Sequence, residues 1–435
     1  MNRPAEKIFF SGIGGSGLSA IASFLSERGH EVSGSDRAFD NDPGDFRIPL
    51  LKKLGIIIYP QDGSGIAPEI DRIVFSTAVE HDRPEYVKAR ELNIPVSTRP
   101  EYLADITKSF RTIAVSGTSG KSTTAGMLAY LMHRLGLEPN YIGGGRIKHF
   151  RSDANPGNYL SGSSDILIIE ACESDGSIIN YYPEVSLILN LALDHNPVDE
   201  TREMFLKLSE NTSGKVVING DDPGLKKING KAIRFSLDNV SSVRYGPFGT
   251  KFVEEGTEFA LSMPGKHNLY NALACITTLS AMDISMNDIA GILPDFSGID
   301  RRFDIHLNKG GCLVIDDYAH NPHKISNLMR TVMPLSNSIC YIFQPHGYGP
   351  TRLMRDGYVR TFSEHLRQDD LLLILPIYYA GGTSSKDISS SDLAGDITRV
   401  GGPADAINDR SEALEISDKF DTFVVFGARD ESLSG

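Results

Sequence analysis

The chain has 435 residues, of which 40% are apolar and 23% are charged, and its formal net charge is −13. This length exceeds that of one ordinary hydrophobic core and suggests two or three domains, while the acidic charge argues against a nucleic-acid partner. The four cysteines lack CxxC spacing and no apolar run is long enough to cross a bilayer, so we expect a protein of the reducing cytoplasm with no membrane partner.

The chain begins with a strand, a glycine-rich turn and a helix, as in many nucleotide-binding folds. Lys7 to Phe10 is apolar enough for a strand, and the turn Gly12-Ile13-Gly14-Gly15-Ser16-Gly17 opens a helix that runs to about Arg28. A second strand, Glu31–Ser33, leads to Gly34-Ser35-Asp36, where dinucleotide folds hold a ribose hydroxyl. Glycines in such turns often allow only the close packing of a strand and a helix, without binding a nucleotide. The pattern supports a nucleotide but leaves a dinucleotide and a UDP-type ligand both open.

The first predicted unit continues with short buried strands between helices. The runs Ile56–Tyr59, Ile73–Ser76 and Ile94–Val96 are typical of strands, and Pro100–Ile106 is typical of a helix. This alternation favours a parallel sheet. The unit is predicted to end near Lys108.

A second glycine-rich turn follows the strand Ile113–Val115 in the stretch IAVSGTSGKSTT. Backbone N–H groups in such a turn converge on phosphate oxygens, and the next helix adds positive potential at its N-terminus. Lys121 would reach the β- and γ-phosphates, and the Ser122 hydroxyl would bind Mg²⁺. The stretch is shorter than the strict P-loop pattern, and an ordinary turn with a surface lysine is the alternative. The strand before the turn and the helix after it favour the nucleotide.

Polar side chains also follow two later buried strands. Ile166–Ile169 is followed by Glu170, and Val185–Leu189 is followed by a stretch that ends in His195. Because the carboxyl ends of parallel strands meet at one edge of a sheet, we expect Glu170 and His195 to lie near the P-loop. A carboxylate oxygen and an imidazole can both bind a divalent cation. A turn histidine without a ligand is the alternative for His195.

Further polar groups lie in the last third of the chain. Asn268 and Asn271 lie three residues apart before an Ala-rich helix, where the amides could read an adenine edge or Asn268 could cap the helix. Arg302 lies in a connecting segment, where an arginine is usually solvated but can also reach a phosphate. The strand Cys312–Ile315 leads to Asp316-Asp317-Tyr318-Ala319-His320. The last unit repeats this pattern with strands predicted at Ser338–Phe343, Leu371–Leu375 and Thr422–Phe426.

Eight motifs in register make the chain similar to the Mur ligase family. In chain order they are GxGGxG, SGSD, GTxGK[ST]T, ExxESD, DH, HNxxN, GxxRRFD and DDYAHNP. The resemblance implies an α/β fold with three domains. These would be an N-terminal Rossmann-like domain that binds a UDP-sugar (residues 1–108), a central P-loop ATPase-like α/β domain that binds ATP (109–300), and a C-terminal Rossmann-like domain that delivers an amino acid (301–435).

The resemblance also implies a role for each candidate residue. The catalytic residues would be Lys121, Glu170, His195 and Arg302. ATP would be bound by Gly117, Thr118, Gly120, Lys121, Ser122, Thr123, Asn268, Asn271, Arg302 and Asp317. The UDP-sugar would be bound by Gly14, Gly15, Ser16, Gly17, Ser35, Asp36, Glu173 and Ser174, and the amino acid by His320, His346 and Arg352. Mg²⁺, for which Mn²⁺ could substitute, would be bound by Ser122, Glu170 and His195.

The implied reaction is the ATP-dependent formation of an amide bond in peptidoglycan precursor synthesis. The lactyl carboxylate of a UDP-N-acetylmuramate-type acceptor would attack the γ-phosphate, giving an acyl phosphate and ADP. The amine of L-alanine, a related amino acid or a peptide would then displace phosphate. A peptide-recycling or other Mur-type ligase is the nearest alternative, and a catalytically silent nucleotide-binding regulatory protein is an alternative of a different class. We expect a monomer or a homodimer.

The chain departs from family members that add L-alanine mainly in the predicted amino-acid loop. In the stretch QPHGYGPTR, Gly347 and Pro350 stand where two arginines are usual, and Arg352 comes late. An amino-acid carboxylate needs a cation, and a bidentate arginine is the preferred one. We therefore expect L-alanine to be used with a raised KM, unless Arg352 and Arg355 rebuild the pocket.

Overall fold

A computed structural model describes residues 5–194, 196–228, 232–379 and 385–427 of the chain. The chain divides into two units, each of which is considered by itself below. The first unit comprises Met1–Val243, Lys251–Ser262 and Asn268–Ile299, and the second comprises Arg244–Thr250, Met263–His267 and Asp300–Gly435. No helix among the described residues is long and apolar enough to cross a membrane.

The first sheet is entirely parallel. Its strands are β1 (Lys7–Ser11), β2 (Glu31–Ser35), β3 (Ile57–Tyr59), β4 (Arg72–Phe75) and β5 (Val96–Thr98), and its helices are α1 (Ser16–Glu27), α2 (Arg37–Asn41), α3 (Arg47–Lys53), α4 (Pro84–Glu91) and α5 (Arg99–Thr107). The strand order is β3-β2-β1-β4-β5, so the order reverses beside β1 and places the first glycine-rich turn where such sheets bind ligands. Strand β5 starts two residues later than predicted, because Pro95 has no N–H to give to the strand ladder.

The second sheet, also in the first unit, holds the P-loop. Its elements are β6 (Arg111–Ser116), α6 (Lys121–Arg134), β7 (Asn140–Ile142), β8 (Tyr159–Leu160), β9 (Ile166–Glu170), β10 (Val185–Ile188), α7 (Val198–Asn211), β11 (Lys215–Asn219) and β12 (Ile233–Phe235). The order is β12-β11-β10-β6-β9-β7-β8, with only the β7–β8 pair antiparallel. Strand β6 therefore lies between β10 and β9, which brings the residues that follow these strands near the P-loop. All three are buried on both faces, which explains their nearly continuous apolar runs.

The rest of the chain forms a small sheet, two helices and a third large sheet. The small sheet has β13 (Val240–Gly246), β14 (Gly249–Glu254) and β15 (Thr257–Leu261), and the helices are α8 (Lys266–Ala281) and α9 (Met286–Ile292). The third large sheet belongs to the second unit and comprises β16 (Asp304–Lys309), β17 (Cys312–Asp317), β18 (Ile339–Gln344), β19 (Leu371–Ile374), β20 (Ala404–Ala406) and β21 (Thr422–Gly427), with helices α10 (Pro322–Val332), α11 (Tyr348–Leu353), α12 (Arg355–His365) and α13 (Ser390–Arg399). Its order is β16-β17-β21-β18-β19-β20, and only β16 runs antiparallel to its neighbour.

Helix α1 connects the first and second sheets within the first unit. The Tyr159 hydroxyl donates to Glu27 Oε1 at 2.6 Å, and the Arg28 guanidinium donates to Asn140 Oδ1 at 2.6 Å. A single cluster of buried apolar side chains includes Leu18 of α1 and Leu167 of β9. The two sheets therefore share one hydrophobic core.

Glu254 at the end of β14 is a buried carboxyl group in this unit. Its side chain is 6% exposed, and its Oε2 has no hydrogen-bond partner among the described residues. Burial, with a smaller contribution from the charge of Glu255, raises the pKa of Glu254 from 4.5 to about 7. The folded protein thus retains a proton that the unfolded chain releases at lower pH.

We expect this group to lower the free energy of unfolding as pH rises from about 4.5 to about 7, because the folded state binds the additional proton in that window. Between about pH 5 and about pH 8, the free energy of unfolding should therefore fall by about 2 kcal/mol less in Glu254→Gln than in the wild type. Denaturant titrations at the two pH values measure the effect, with Glu258→Gln, an exposed carboxylate on β15, as the control. The same pH dependence in Glu254→Gln and in the wild type would contradict the prediction.

Candidate functional site

The P-loop turn lies at the carboxyl end of β6 and leads directly into α6. Gly120 adopts a φ of +88°, in the left-handed region that favours glycine. A Cβ at Gly120 would lie 2.6 Å from Asn271 Oδ1, so a larger residue would also collide with α8. The turn and the asparagine of α8 are therefore in direct contact.

Lys121 is bound by the turn and by a buried carboxylate. Its Nζ donates to the Gly117 carbonyl at 2.6 Å and to the two carboxylate oxygens of Glu173 at 3.1 and 2.8 Å. Burial opposes the charged ammonium, but Cys172, Glu173 and Glu170 outweigh it and raise the pKa of Lys121 above 10.5. The ammonium is thus kept charged where a phosphate would bind. Glu173, which the family resemblance assigns to the UDP-sugar, contacts the P-loop lysine in this structure, and its role toward the UDP-sugar stays a prediction.

Glu170 is the centre of a second set of hydrogen bonds. Its Oε2 accepts from the Ser122 hydroxyl at 2.7 Å. Its Oε1 accepts from the backbone N–H groups of Gly144 and Gly145, at 2.7 and 3.1 Å, and from the Tyr141 hydroxyl at 3.3 Å. A carboxylate and a hydroxyl are the hard oxygen donors that Mg²⁺ prefers.

The third predicted metal ligand, His195, lies outside the described residues, so its pairing with Glu170 stays a prediction. Within the described part of the chain, three or more His, Cys, Asp or Glu side chains do not cluster as a metal site. Glu170 with Ser122 is therefore the part of the predicted magnesium site that the structure brings together.

Asn190, at the carboxyl end of β10, fixes the P-loop from the other side. Its Oδ1 accepts from the Thr118 hydroxyl at 2.9 Å and from the Ser119 N–H at 2.8 Å, while its Nδ2 donates to the Ser119 carbonyl at 2.9 Å. Asn190 is not among the site residues predicted from the sequence. Its signal was the same as that of Glu170, a polar side chain directly after a buried strand.

The two predicted adenine-reading asparagines lie on one face of α8. Asn271 Nδ2 donates to Asn268 Oδ1 at 3.3 Å, and the Thr124 hydroxyl of α6 donates to Asn271 Oδ1 at 3.2 Å. Because α8 begins at Lys266, Asn268 lies inside the helix, and its alternative role as the N-cap is wrong. Contact with adenine stays a prediction, as does the ATP contact of the buried Thr123 on α6.

The first glycine-rich turn is tied to Asp36. Asp36 Oδ2 accepts from the Gly14 N–H at 2.8 Å, and Oδ1 caps α2 by accepting from the Ala38 N–H at 2.9 Å. A Cβ at Gly14 would lie 2.9 Å from Asp36 Oδ2, so the close approach requires glycine. The neighbouring Ser35 is fully buried and donates its hydroxyl to Glu85. Asp36 is thus in contact with the glycine-rich turn, whereas the Ser35 hydroxyl is bound to Glu85, and the contact of both residues with the UDP-sugar stays a prediction.

A loop of three glycines, Gly143–Gly145, lies between the two turns. A Cβ at Gly144 would lie 3.9 Å from both Glu170 Oε1 and Ser16 Oγ. Beside the loop, Asn158 Nδ2 donates to the Ser16 carbonyl at 2.9 Å. The Glu170 carboxylate and the first glycine-rich turn are therefore neighbours, separated by one stretch of backbone. The exposed Ser174, also predicted for the UDP-sugar, contacts Cys172 Sγ at 3.0 Å.

In the second unit, the predicted ATP-binding residues Arg302 and Asp317 lie in one small cluster. The Arg302 guanidinium lies 4.8 Å from the centre of the Tyr318 ring. Asp317 accepts from the N–H groups of Phe303 and Ala319 at 2.7 and 2.8 Å, and burial raises its pKa. Beside them, Arg301 donates to Asp316 at 3.1 Å. The roles of Arg302 and Asp317 toward ATP stay predictions.

The predicted amino-acid-binding residues are spread over three segments of the same unit. His320 Nδ1 lies 2.9 Å from the Tyr318 carbonyl, and the His346 ring stacks on Tyr378 with 5.6 Å between ring centres. Arg352 on α11 forms an exposed ion pair with Asp387. Arg355, at the start of α12, donates to Asp396 at 2.6 Å. The two arginines thus bind two different carboxylates in this structure.

Three models of one protein family match successive parts of the chain. The model of the Mur ligase family catalytic domain matches residues 7–111, that of the Mur ligase middle domain matches 115–279, and that of the Mur ligase glutamate ligase domain matches 301–429. The matched segments cover most of the chain and agree with the resemblance seen in the motifs.

Curated relatives and solved structures match over nearly the full length. UDP-N-acetylmuramate–L-alanine ligase of Clostridium acetobutylicum is 33% identical over 422 residues, covering 92% of this chain and 89% of that protein. The enzyme of the same name from Persephonella marina is 32% identical over 414 residues, covering 91% and 87%. The structure of UDP-N-acetylmuramate–alanine ligase from Thermotoga maritima matches with a TM-score of 0.81 at 28% identity, covering 98% and 96%. A murein peptide ligase of Psychrobacter arcticus shares the fold, with a TM-score of 0.70 at 19% identity, covering 97% and 96%.

Lys121→Ala should abolish ATP-dependent phosphate release, because the transferred phosphoryl group loses its cation. Removal of the lysine also leaves the buried Glu173 carboxylate without its partner, which is destabilising. The variant Lys121→Ala/Glu173→Gln is therefore measured beside it, and Lys207→Ala, an exposed lysine on α7, is the control. Release at the wild-type rate by a folded Lys121→Ala variant would contradict the assignment.

Glu170→Gln should weaken Mn²⁺ binding in the presence of ADP by about tenfold, since the amide keeps the length of the side chain but loses its charge. Paramagnetic resonance of free Mn²⁺ measures the affinity. Glu184→Gln is the matched control, because Glu184 is an exposed carboxylate that pairs with Arg111 at the amino-terminal edge of the same sheet. An unchanged affinity in Glu170→Gln would remove Glu170 from the metal site.

Proposed function

Since the chain belongs to the Mur ligase family, we propose that it joins L-alanine to the lactyl carboxylate of UDP-N-acetylmuramate, with ATP converted to ADP and phosphate, in peptidoglycan precursor synthesis. One observation carries this proposal: Gly144 lies between Ser16 of the first glycine-rich turn and Glu170, which accepts from Ser122 next to the P-loop, all within one unit. A sugar nucleotide bound at the first turn and ATP bound at the P-loop would bring a carboxylate and a γ-phosphate together. The names of the relatives specify the acceptor and the amine.

The residues around the P-loop would perform the phosphoryl transfer mainly by positioning and charge neutralisation. Lys121 would bind the β- and γ-phosphates and stabilise the charge that develops as the acceptor carboxylate attacks phosphorus. Asn190 holds the turn in shape through Thr118 and Ser119. The products of this step are ADP and an acyl phosphate. The amine then attacks the acyl carbon and expels phosphate, which restores the free site.

Mg²⁺ fits the oxygen donors that the structure brings together. The Ser122 hydroxyl and the Glu170 carboxylate would hold it, with His195 as a predicted third ligand, and Mn²⁺ could substitute. When bound, the ion would neutralise negative charge on the phosphates. The hydrogen bonds from Gly144 and Gly145 orient the carboxylate for this task.

The acceptor would occupy the first glycine-rich turn. The backbone of Gly14, Gly15, Ser16 and Gly17 would bind the diphosphate at the N-terminus of α1, where the helix adds positive potential. Asp36 would contact the uridine end. We also propose the three domains 1–108, 109–300 and 301–435, because each range encloses one of the three large sheets.

An inert regulatory protein is the alternative from another class. Against it stands the assembled set of polar contacts among Lys121, Ser122, Glu170 and Glu173, which a protein without turnover does not require. For the cell compartment we propose the cytoplasm, since the four cysteines are free. We keep the expectation of a monomer or a homodimer.

The amine site is where the chain differs most from relatives that add L-alanine. Gly347 has a φ of +74° at the start of α11 and brings no cation, and Pro350 lies within that helix. Arg352 would have to exchange Asp387 for the amino-acid carboxylate. Since the Arg352–Asp387 pair is exposed, this exchange costs little, but it still competes with substrate binding.

We expect L-alanine to support phosphate release, with a KM above the low micromolar range, because one arginine replaces two. Arg352→Ala should raise this KM by about tenfold and leave kcat nearly unchanged, as expected for a binding contact. Steady-state phosphate release with UDP-N-acetylmuramate and a panel of amino acids and short peptides tests both statements. Arg360→Ala, an exposed arginine on α12, is the control. Saturation at low micromolar L-alanine that is unchanged in Arg352→Ala would show that the departures in this loop do not matter.

A further inference from the structure

Arg99 lies against the first glycine-rich turn, although no motif marks it. It is the first residue of α5 and follows β5 at the same edge of the first sheet as the turn. A Cβ placed on Gly17 would lie 3.3 Å from Arg99 Cδ, 3.6 Å from Nη1 and 3.8 Å from Nε. The guanidinium is therefore in contact with the start of α1.

The orientation of Arg99 is set by Asp175. Arg99 Nη2 donates to Asp175 Oδ2 at 3.0 Å, and each of the two side chains is 25% exposed. Asp175 Oδ1 accepts from the N–H and the hydroxyl of Ser177, at 3.0 and 2.6 Å, which fixes the carboxylate. Among the described residues, Asp175 is the one hydrogen-bonding partner of Arg99. The donors on Nε and Nη1, the two nitrogens nearest Gly17, remain available.

A diphosphate at this turn requires a local cation, because the chain as a whole carries a net charge of −13. Arg47 also reaches the turn, where its Nη1 donates to the Gly14 carbonyl at 2.7 Å. However, Asp45 already accepts from its Nε and Nη2 at 2.8 and 2.5 Å. Arg99 has one carboxylate partner and two unused donors that face the turn. Two parallel N–H donors are the geometry with which arginine recognises phosphate.

We propose that Arg99 binds the β-phosphate of the sugar nucleotide and that Asp175 is a positioning residue for its guanidinium. This inference rests on the proposed function for the location of the diphosphate. It adds a side-chain cation to a site that the motifs assign to backbone N–H groups. Asp175 lies in the segment Glu170–Asp175, whose Glu170 and Glu173 bind Ser122 and Lys121. One short segment thus orients polar groups of both nucleotide sites.

Titration calorimetry with UDP and with UMP tests the proposal on the full chain, with saturating AMP-PNP and Mg²⁺ in every sample to occupy the P-loop. Arg99→Gln, which keeps most of the length and packing of the side chain, should weaken UDP binding by about tenfold or more, because a charge-assisted pair is lost. UMP binding should change by less than about twofold, since UMP lacks the second phosphate. Asp175→Asn should reduce the preference for UDP over UMP by a smaller factor. Arg90→Ala, an exposed arginine on α4, is the control.

If Arg99→Gln loses the same factor of affinity for UDP and for UMP, Arg99 only supports the fold. If its affinity for UDP is unchanged, Arg99 does not contact the ligand. Either result overturns the proposal. Should Arg99→Gln fail to fold, the change in UDP preference of Asp175→Asn decides. A wild type that prefers UDP over UMP but releases no phosphate with UDP-N-acetylmuramate and L-alanine would refute the proposed function and leave this inference standing. A wild type without that preference would refute the inference, whatever its turnover.

Discussion

The hydrogen bonds that converge on Glu170 are the constraint on which the candidate site depends. A carboxylate at the end of a buried strand must find donors, and here they come from two directions: Ser122 at the start of α6 and the backbone of Gly144 and Gly145. The first donor fixes the strand end relative to the P-loop. The N–H groups of Gly144 and Gly145 hold the three-glycine loop against the Glu170 carboxylate, and the first glycine-rich turn lies on the other side of this loop. Only glycine allows this approach, since a Cβ at Gly143 would lie 2.6 Å from Glu170 Oε1.

Three cations of the candidate sites are each paired with a carboxylate in this structure. Lys121 pairs with Glu173, Arg99 with Asp175 and Arg352 with Asp387. In an acidic protein such pairing keeps the cations ordered and limits the attraction of unrelated anions. A ligand of Lys121 or Arg352 must then compete with a carboxylate of the protein as well as with water, whereas Arg99 keeps two donors beyond its bond to Asp175. Affinity therefore depends on the difference between two charged partners, which favours ligands that offer several contacts at once.

The sheets and the P-loop were predictable because their signals are local. Polar residues that follow apolar runs predict which side chains lie at the carboxyl edge of a parallel sheet, and this rule places Glu170 beside the P-loop. The same rule applies to Asn190. However, several polar residues follow β10, and the rule does not say which of them contacts the P-loop. The motif SGSD does not indicate that the Ser35 hydroxyl is bound to Glu85, because successive residues of an extended chain point to opposite sides and the partner lies 50 residues away. The contacts of Arg99 with Gly17 and of Tyr141 with Glu170 join distant parts of the sequence. They follow from how the elements pack, which no local pattern records.

The shared core around α1 has a consequence for how this protein folds and unfolds. Leu18 and Leu167 belong to one apolar cluster although they lie in segments with separate sheets. The C-terminal end of α1 is also tied to the second sheet through Glu27 and Arg28. Neither sheet can lose its structure without exposing apolar surface of the other, so the two should melt as one cooperative unit. A fragment cut near residue 108 would carry half of a core. Sequence modules and folding units therefore do not coincide in this chain.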